Sequence, residues 1–352
     1  MILFTSMMVA LISTLILTPL SSRAAHRLGI VDRSSGMGIP STGGLAIFLG
    51  FAASIAAGMI IFPVLPGHSV TDTGISWRAL CTLILASGAL MTLTGFIDDR
   101  IELRPATKLL LHSLVALVAG AFFVMKGAQI RLFLDSGGVN WLAAPITMIW
   151  LLGITNSVNL LDHADGVTGG VTAISAFFFA VLNYINGSPD IAFISIALAG
   201  ACVGFLFYNF PPASTYMGDS GSNFLGFTLG LLAVLGVYAP TGSIPWLALM
   251  SPLLILAVPL VDTVMVLLYR RRMGTPLFQG DKNHLAHRLS RMGYSRRTTV
   301  IILYLISIVM GTTALLLPTL RPLQAMLAFV NAAGVIAVFA VFIANGERRA
   351  AE

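Results

Sequence analysis

Along most of its length the chain is a succession of uninterrupted apolar runs, each long enough, at about 20 residues, to cross the hydrocarbon core of a bilayer as one α-helix. A segment in hydrocarbon must satisfy its own backbone hydrogen bonds, which leaves helices and closed barrels as the options. Barrel strands alternate apolar and polar residues, and these runs do not. The sequence therefore predicts an all-α, polytopic integral membrane protein. Composition agrees: only 10% of residues are charged, against about 25% in soluble domains.

The runs place helices near 2–20, 43–64, 79–97, 107–126, 139–157, 169–186, 190–209, 222–240, 245–269, 298–317 and 323–344, about eleven spans in a single integral-membrane domain over 1–352. The first run resembles a secretory signal, but its first basic residues, Arg23 and Arg27, follow the apolar stretch instead of preceding it. It is read as a spanning helix. Cys81 and Cys202 fall inside apolar runs, as buried structural thiols do, and support neither a disulfide framework nor a zinc site. Glycine, proline and asparagine in NGSPD and APTGS suit tight connections.

Basic residues set the orientation, because short cytoplasmic loops collect Lys and Arg. With the 21–42 loop in the cytoplasm, sixteen of the twenty Lys and Arg fall on that side, leaving Arg78, Lys126, Arg131 and Arg321 on the other. The N-terminus is then outside and the C-terminus cytoplasmic. The net charge of +6 is mostly this bias and gives no argument for nucleic acid.

The same topology gathers the acids. Asp98 and Asp99 in FIDDR, Asp162 and Asp165 in NSVNLLDHADG, Asp219 in YMGDSGSN and Asp281 in GDKNHLAHR all fall at cytoplasmic helix ends, whereas Asp72, Asp135 and Asp190 lie outside. Asp262, in VPLVDT, falls inside the ninth span. Carboxylate oxygens from several segments suit a hard divalent cation that also binds substrate phosphates. MGDSGSN precedes a helix whose free N–H groups could hold phosphate oxygens. Helical spacing puts His284, His287, Arg288 and Arg291 in one cationic stripe, with Leu285, Leu289 and Met292 beside it, as in an interfacial helix. Each feature alone also fits a plainer role: a solvated helix end, a cap, an electrostatic anchor, or, for Asn156, Asn159 and Asp162, mutual satisfaction within a bundle. Together on one face they point to phosphoryl transfer between anionic substrates at a membrane surface. A transporter, which Asp262 would suit, and a catalytically silent scaffold are the other classes. Neither accounts for acids collected at one face, and no transporter-like repeat is present.

These motifs resemble those of the polyprenyl-phosphate N-acetylhexosamine-1-phosphate transferases, the MraY/WecA family, from GIPSTGGLAIFLGF at 38–51 to Arg297. FIDDR followed by Lys108 is similar to the family's paired-aspartate motif, and NSVNLLDHADG to its N-x-x-N-x-x-D-G-x-D-G pattern. NFPPASTYMGDSGSNFLGF resembles P-A-x-x-F-M-G-D-x-G-S, and GDKNHLAHRL the family's histidine motif. The resemblance implies transfer of a sugar-1-phosphate from a UDP-sugar to a lipid phosphate such as undecaprenyl phosphate, with Mg²⁺ (Mn²⁺ as a substitute) and release of UMP. The WecA-like branch is the nearer one, implying UDP-GlcNAc or a related UDP-HexNAc; the MurNAc-pentapeptide branch is the alternative. It further implies a homodimer in the inner (plasma) membrane, with cytoplasmic active-site segments near 98–108, 156–170, 209–223 and 270–297.

Carried over by position, Asp219 would be the principal metal ligand with help from Asn159. Asp98 would orient or deprotonate the lipid phosphate, with Asp99 supporting it. Asn156, Asn159, Asp162 and Asp165 would serve the nucleotide and the metal site, Lys108 would bind substrate, and His284, His287 and Arg288 would hold the donor's phosphates. This sequence departs from the family pattern at His163, in place of a glycine, at Ala286, in place of a histidine, and in the shortened RSSGMGIP.

Overall fold

The computed structural model describes residues 1–32, 38–62, 75–125, 143–238, 245–274 and 283–351. Arg33 and most of RSSGMGIP, Asp72, Lys126, Arg131, Asp135, the APTGS turn, Asp281 and Lys282 lie outside the described residues.

The described chain is helical apart from one two-residue ribbon. In order run α1 (Ile2–Leu28), β1 (Val31–Asp32), β2 (Ile39–Pro40), α2 (Gly43–Ile61), α3 (Trp77–Ile101), α4 (Pro105–Met125), α5 (Ala143–Leu161) and α6 (Val167–Ile185). Then come α7 (Pro189–Asn209), α8 (Gly218–Leu235), α9 (Pro245–Ile255), α10 (Ala257–Met273), α11 (Leu285–Arg291), α12 (Arg296–Leu316) and α13 (Pro322–Ala351). β1 and β2 pair antiparallel, Val31 opposite Pro40. Among the described residues, α1, α2, α3, α5, α6, α7, α12 and α13 are long and apolar enough to cross a membrane, which makes this a multi-pass membrane protein.

The run at 245–269, expected as one helix, is two. Pro259 has no N–H for the Ile255 carbonyl four residues back, and its ring crowds that group. The helix accordingly stops at Ile255 and restarts at Ala257. The first helix is longer than its apolar run: it carries on past Arg23 and Arg27 to Gly29, whose φ of 70° closes the end in the left-handed conformation.

Helices α7 and α8 form the centre. Nearly every residue of α8 from Ser220 to Leu235 is buried, with α3 and α5 packed along it. Helix α7 is covered by α1, α2 and α6. In lipid there is little hydrophobic gain from helix association, so close backbone approach has to hold such a bundle. At Gly95 of α3 a side chain would run into the Asp219 carbonyl, and at Gly44 of α2 one would run into Gly221. These two glycines let the start of α8 sit hard against α2 and α3. Helix α13 is the outlying element, with Leu327, Val338 and Phe342 exposed as lipid contact would require.

The ends of α1, α3, α5 and α7 meet the start of α8 around one cavity. Ile343, near the end of α13, packs with Leu285 and Leu289 of α11 and with Leu161 and Val167 beside that cavity. The cavity and the end of α13 therefore share one end of the bundle, and Met1 lies at the other.

Candidate active site

The cavity has a volume of about 840 Å³. Asp98, Asp99, Glu102, Asp162, Asp165 and Asp219 line it, with Arg100 also in its wall. Five of these acids come from three sequence-distant motifs, which the fold brings to one place.

Asp219 and Asp98 of this wall share Lys108 as their cationic partner. Lys108 Nζ lies 2.7 Å from Asp219 Oδ2 and 2.8 Å from Asp98 Oδ2. Asn159 Nδ2 donates to Asp219 Oδ1 at 2.7 Å and to Ser222 Oγ at 2.8 Å, and its Oδ1 accepts from Lys108 at 3.3 Å. Both ends of the Asn159 amide are thus used in orienting Asp219 and Lys108. Asp98 Oδ1 accepts the Leu103 N–H at 2.7 Å. That bond closes the reversal between α3 and α4, where Glu102 adopts a left-handed φ of 48°, and so delivers Lys108 to the acids.

Asp99, also in the cavity wall, has backbone partners instead. Its two oxygens accept the backbone N–H groups of Asp219, at 2.8 Å, and Ser220, at 3.1 Å. The first N–H groups of a helix lack intrahelical partners and carry partial positive charge. The phosphate cradle expected at MGDSGSN is therefore occupied by the protein's own carboxylate, and Asp99 positions Asp219 from behind.

Asp162 and Asp165 occupy the short loop between α5 and α6. Asp165 Oδ2 accepts the Ala213 N–H at 3.1 Å, with exposed Arg296 3.6 Å away. The loop is pinned at Gly166: its N–H donates to Asn209 Oδ1 at 3.0 Å and its carbonyl accepts from Tyr304 at 2.5 Å. Burial, then the negative charges of Asp219 and Asp99, push the Asp162 carboxyl up to about 8. A cluster of hard oxygen donors this short of positive charge fits a divalent cation such as Mg²⁺.

Other expected residues stand farther back. Asn156 donates to the Leu152 carbonyl of its own helix at 2.8 Å. His284 is not on a helical stripe: it precedes α11 and is buried, its Nδ1 2.7 Å from Asp262 Oδ2. It backs His163, whose ring stacks on it at 4.1 Å and which itself lines the cavity. Asp262, the residue that suited a transporter, is thus committed to His284 and to the Leu285 N–H at 2.6 Å. Helix α11 is short, and Leu285 and Leu289 face other helices, not lipid, which corrects the interfacial-helix expectation. Arg288 is buried and His287 half-buried. Asn209 and Tyr304 were not singled out from sequence. Asn209 sits in a quoted motif; nothing local distinguishes Tyr304 from other aromatics of an apolar helix.

The model of glycosyl transferase family 4 matches residues 81–237, the span from α3 to α8 that supplies the acids. A probable undecaprenyl-phosphate N-acetylglucosaminyl 1-phosphate transferase of Bacillus subtilis is 32% identical over 315 residues, covering 88% of this chain and 83% of that protein. A decaprenyl-phosphate N-acetylglucosaminephosphotransferase of Mycobacterium tuberculosis is 32% identical over 288 residues, 76% of this chain and 69% of its own. A phospho-N-acetylmuramoyl-pentapeptide-transferase of Moorella thermoacetica is 28% identical over 338 residues, 89% of this chain and 98% of its own. A membrane-embedded bundle with its acids collected at one end, matched over most of its length by these transferases, belongs to glycosyl transferase family 4.

Proposed function

We propose that this chain transfers a HexNAc-1-phosphate, GlcNAc-1-phosphate by preference, from a UDP-sugar to undecaprenyl phosphate, releasing UMP and starting a lipid-linked glycan. The observation that carries this reading is Lys108 held between Asp98 and Asp219 in an acid-lined cavity at one end of a bundle of apolar helices. A lipid phosphate can reach such a site from the membrane while a nucleotide sugar enters from water. The names of the Bacillus and Mycobacterium relatives support the class of donor and acceptor.

In the reaction, an oxygen of the lipid phosphate bonds to the sugar-bearing phosphorus, and the bond from that phosphorus to the bridging oxygen breaks, so UMP leaves. Asp98, beside Lys108, orients the acceptor phosphate and takes its proton where one is present. Lys108 offsets charge that builds on the transferred group. Asp219, held by Asn159 and seated by Asp99, is the principal ligand for Mg²⁺, with Asp162 and Asp165 completing the acidic wall. When bound, the ion neutralises diphosphate charge, a large share of phosphoryl-transfer catalysis. His287 and Arg288 serve the donor's phosphates, with His284 acting through His163. The displacement is direct; a sugar-phosphate adduct trapped on Asp98 would contradict it.

In this reading the chain crosses the plasma membrane eleven times, N-terminus outside, with the cavity facing the cytoplasm, and works as a homodimer. The bias of Lys and Arg supports the orientation. Transfer of MurNAc-pentapeptide phosphate is the second reading, favoured by the extent of similarity to the Moorella protein. Membranes containing the chain, given radiolabelled UDP-GlcNAc and undecaprenyl phosphate with and without Mg²⁺, test the proposal. Lipid-linked product that requires the cation is expected, and no product from any of a panel of UDP-HexNAc donors would overturn it.

A further inference from the structure

Behind the cavity wall, on the side of α10 and α11, lies a second polar cluster with different chemistry. Asp262 is fully buried in α10. Its Oδ1 accepts the Leu285 N–H at 2.6 Å and its Oδ2 faces His284 Nδ1 at 2.7 Å. The His163 ring stacks on that of His284, with centroids 4.1 Å apart and planes at 27°, and the His287 centroid is 4.7 Å from that of His163. His163 Nδ1 lies 3.0 Å from the Leu160 carbonyl oxygen. A carbonyl only accepts, so in neutral His163 this nitrogen carries the proton and Nε2 carries the lone pair. That Nε2 is buried without a hydrogen-bond partner among the described residues.

We propose that His163, Asp262 and His284 form a binding site for a borderline-soft divalent cation of the zinc class, adjoining the oxygen-lined cavity through His163. One ring nitrogen from each histidine and one oxygen of Asp262 lie within 4.8 Å of one another. Tetrahedral zinc, with bonds of about 2.0–2.1 Å to nitrogen, sets its ligands about 3.3 Å apart. Closing the present cluster around an ion takes side-chain shifts on the order of 1 Å from that spacing, with the two imidazoles turning out of their stack so that both planes contain the ion. Outer contacts that orient metal ligands are already made: Leu160 oxygen on His163 Nδ1, and the Leu285 N–H on Asp262. Imidazole nitrogen selects zinc-class ions over Mg²⁺, which prefers carboxylate and water oxygens. An ion here would tie the loop carrying Asp162 and Asp165 to α10 and to the start of α11.

The test is zinc binding by the full chain, purified without a polyhistidine tag, by equilibrium dialysis in excess Mg²⁺ with elemental analysis. Wild type is expected to retain about one zinc per chain, with affinity falling at least about tenfold in both His163→Gly and His163→Gln. Asp219→Asn, outside this cluster, is expected to retain it. Zinc should also raise the melting temperature of wild type and of neither His163 variant. Wild type that holds no zinc against Mg²⁺, or His163 variants that bind as tightly as wild type, would overturn the site. Because zinc retention is read without turnover, this outcome stands apart from that of the transferase assay.

Discussion

Asp99 seats Asp219: its Oδ1 accepts the Asp219 backbone N–H at 2.8 Å, so one aspartate fixes where the other's side chain emerges. A second bond, to the Ser220 N–H at 3.1 Å, makes the grip two-pronged. Charge-assisted hydrogen bonds of this kind contribute about 1.5–3 kcal/mol each. Asp99→Asn keeps one acceptor and is expected to lower kcat about tenfold, whereas Asp99→Ala, which keeps none, should lose about a hundredfold or more. Equal losses in the two variants would argue that Asp99 acts through its charge and not as a seat.

Asp219→Asn tests the centre of the site. An amide can hold the Asn159 and Lys108 contacts only in part and cannot supply the second anionic oxygen. Turnover should vanish while the protein remains extractable and folded by size-exclusion profile. Near-normal activity would remove Asp219 from the metal-binding role.

Lys108 is the cation that offsets Asp98 and Asp219. Removing one partner of this partly buried ion pair leaves uncompensated charge, at a cost below the roughly 3–5 kcal/mol of a fully buried pair. Lys108→Met is therefore expected to melt lower than wild type in metal-free buffer. Added Mg²⁺ should raise its melting temperature more than it raises that of wild type, since the ion then supplies the missing charge. An identical Mg²⁺ response in both proteins would contradict this.

Asp162 carries the pH dependence. Its folded value is about 8 against an ordinary 3.8, so its neutral form is the one the fold favours. The associated stability is present below 3.8 and is lost as pH rises through about 8. Asp162→Asn mimics the neutral form. In metal-free buffer the variant should melt slightly higher than wild type at pH 5 and by a much larger margin at pH 9. Thermal unfolding across that range measures it, and a variant no better than wild type at pH 9 would refute the assignment.

Much of the site was legible in the residues. FIDDR, NSVNLLDHADG and YMGDSGSN each announce themselves as polar interruptions in an apolar chain, and the alternation of spans places them at one end. The roles within the set were less legible. Asp98 and Asp99 are neighbours in sequence, yet one pairs with Lys108 and the other caps α8, because successive positions on a helix point about 100° apart. The stripe read from 284 to 291 fails for a related reason: His284 lies outside the helix, and Asp262, 22 residues earlier, claims its ring. Tyr304 illustrates the limit most sharply, since its contact with Gly166 spans 138 residues.

By itself the sequence determined that the chain is a multi-pass helical protein and that the carboxylates of its motifs gather at one end of the bundle. Both follow from local physics: the cost of unpaired backbone and of charge in hydrocarbon acts on every segment separately. Only the tertiary structure decided which acid pairs with Lys108, which one holds a helix start, and that His163 stands in front of the Asp262–His284 pair. Those choices depend on how helix ends approach one another, as where Gly95 admits the Asp219 backbone, and no single segment encodes that distance.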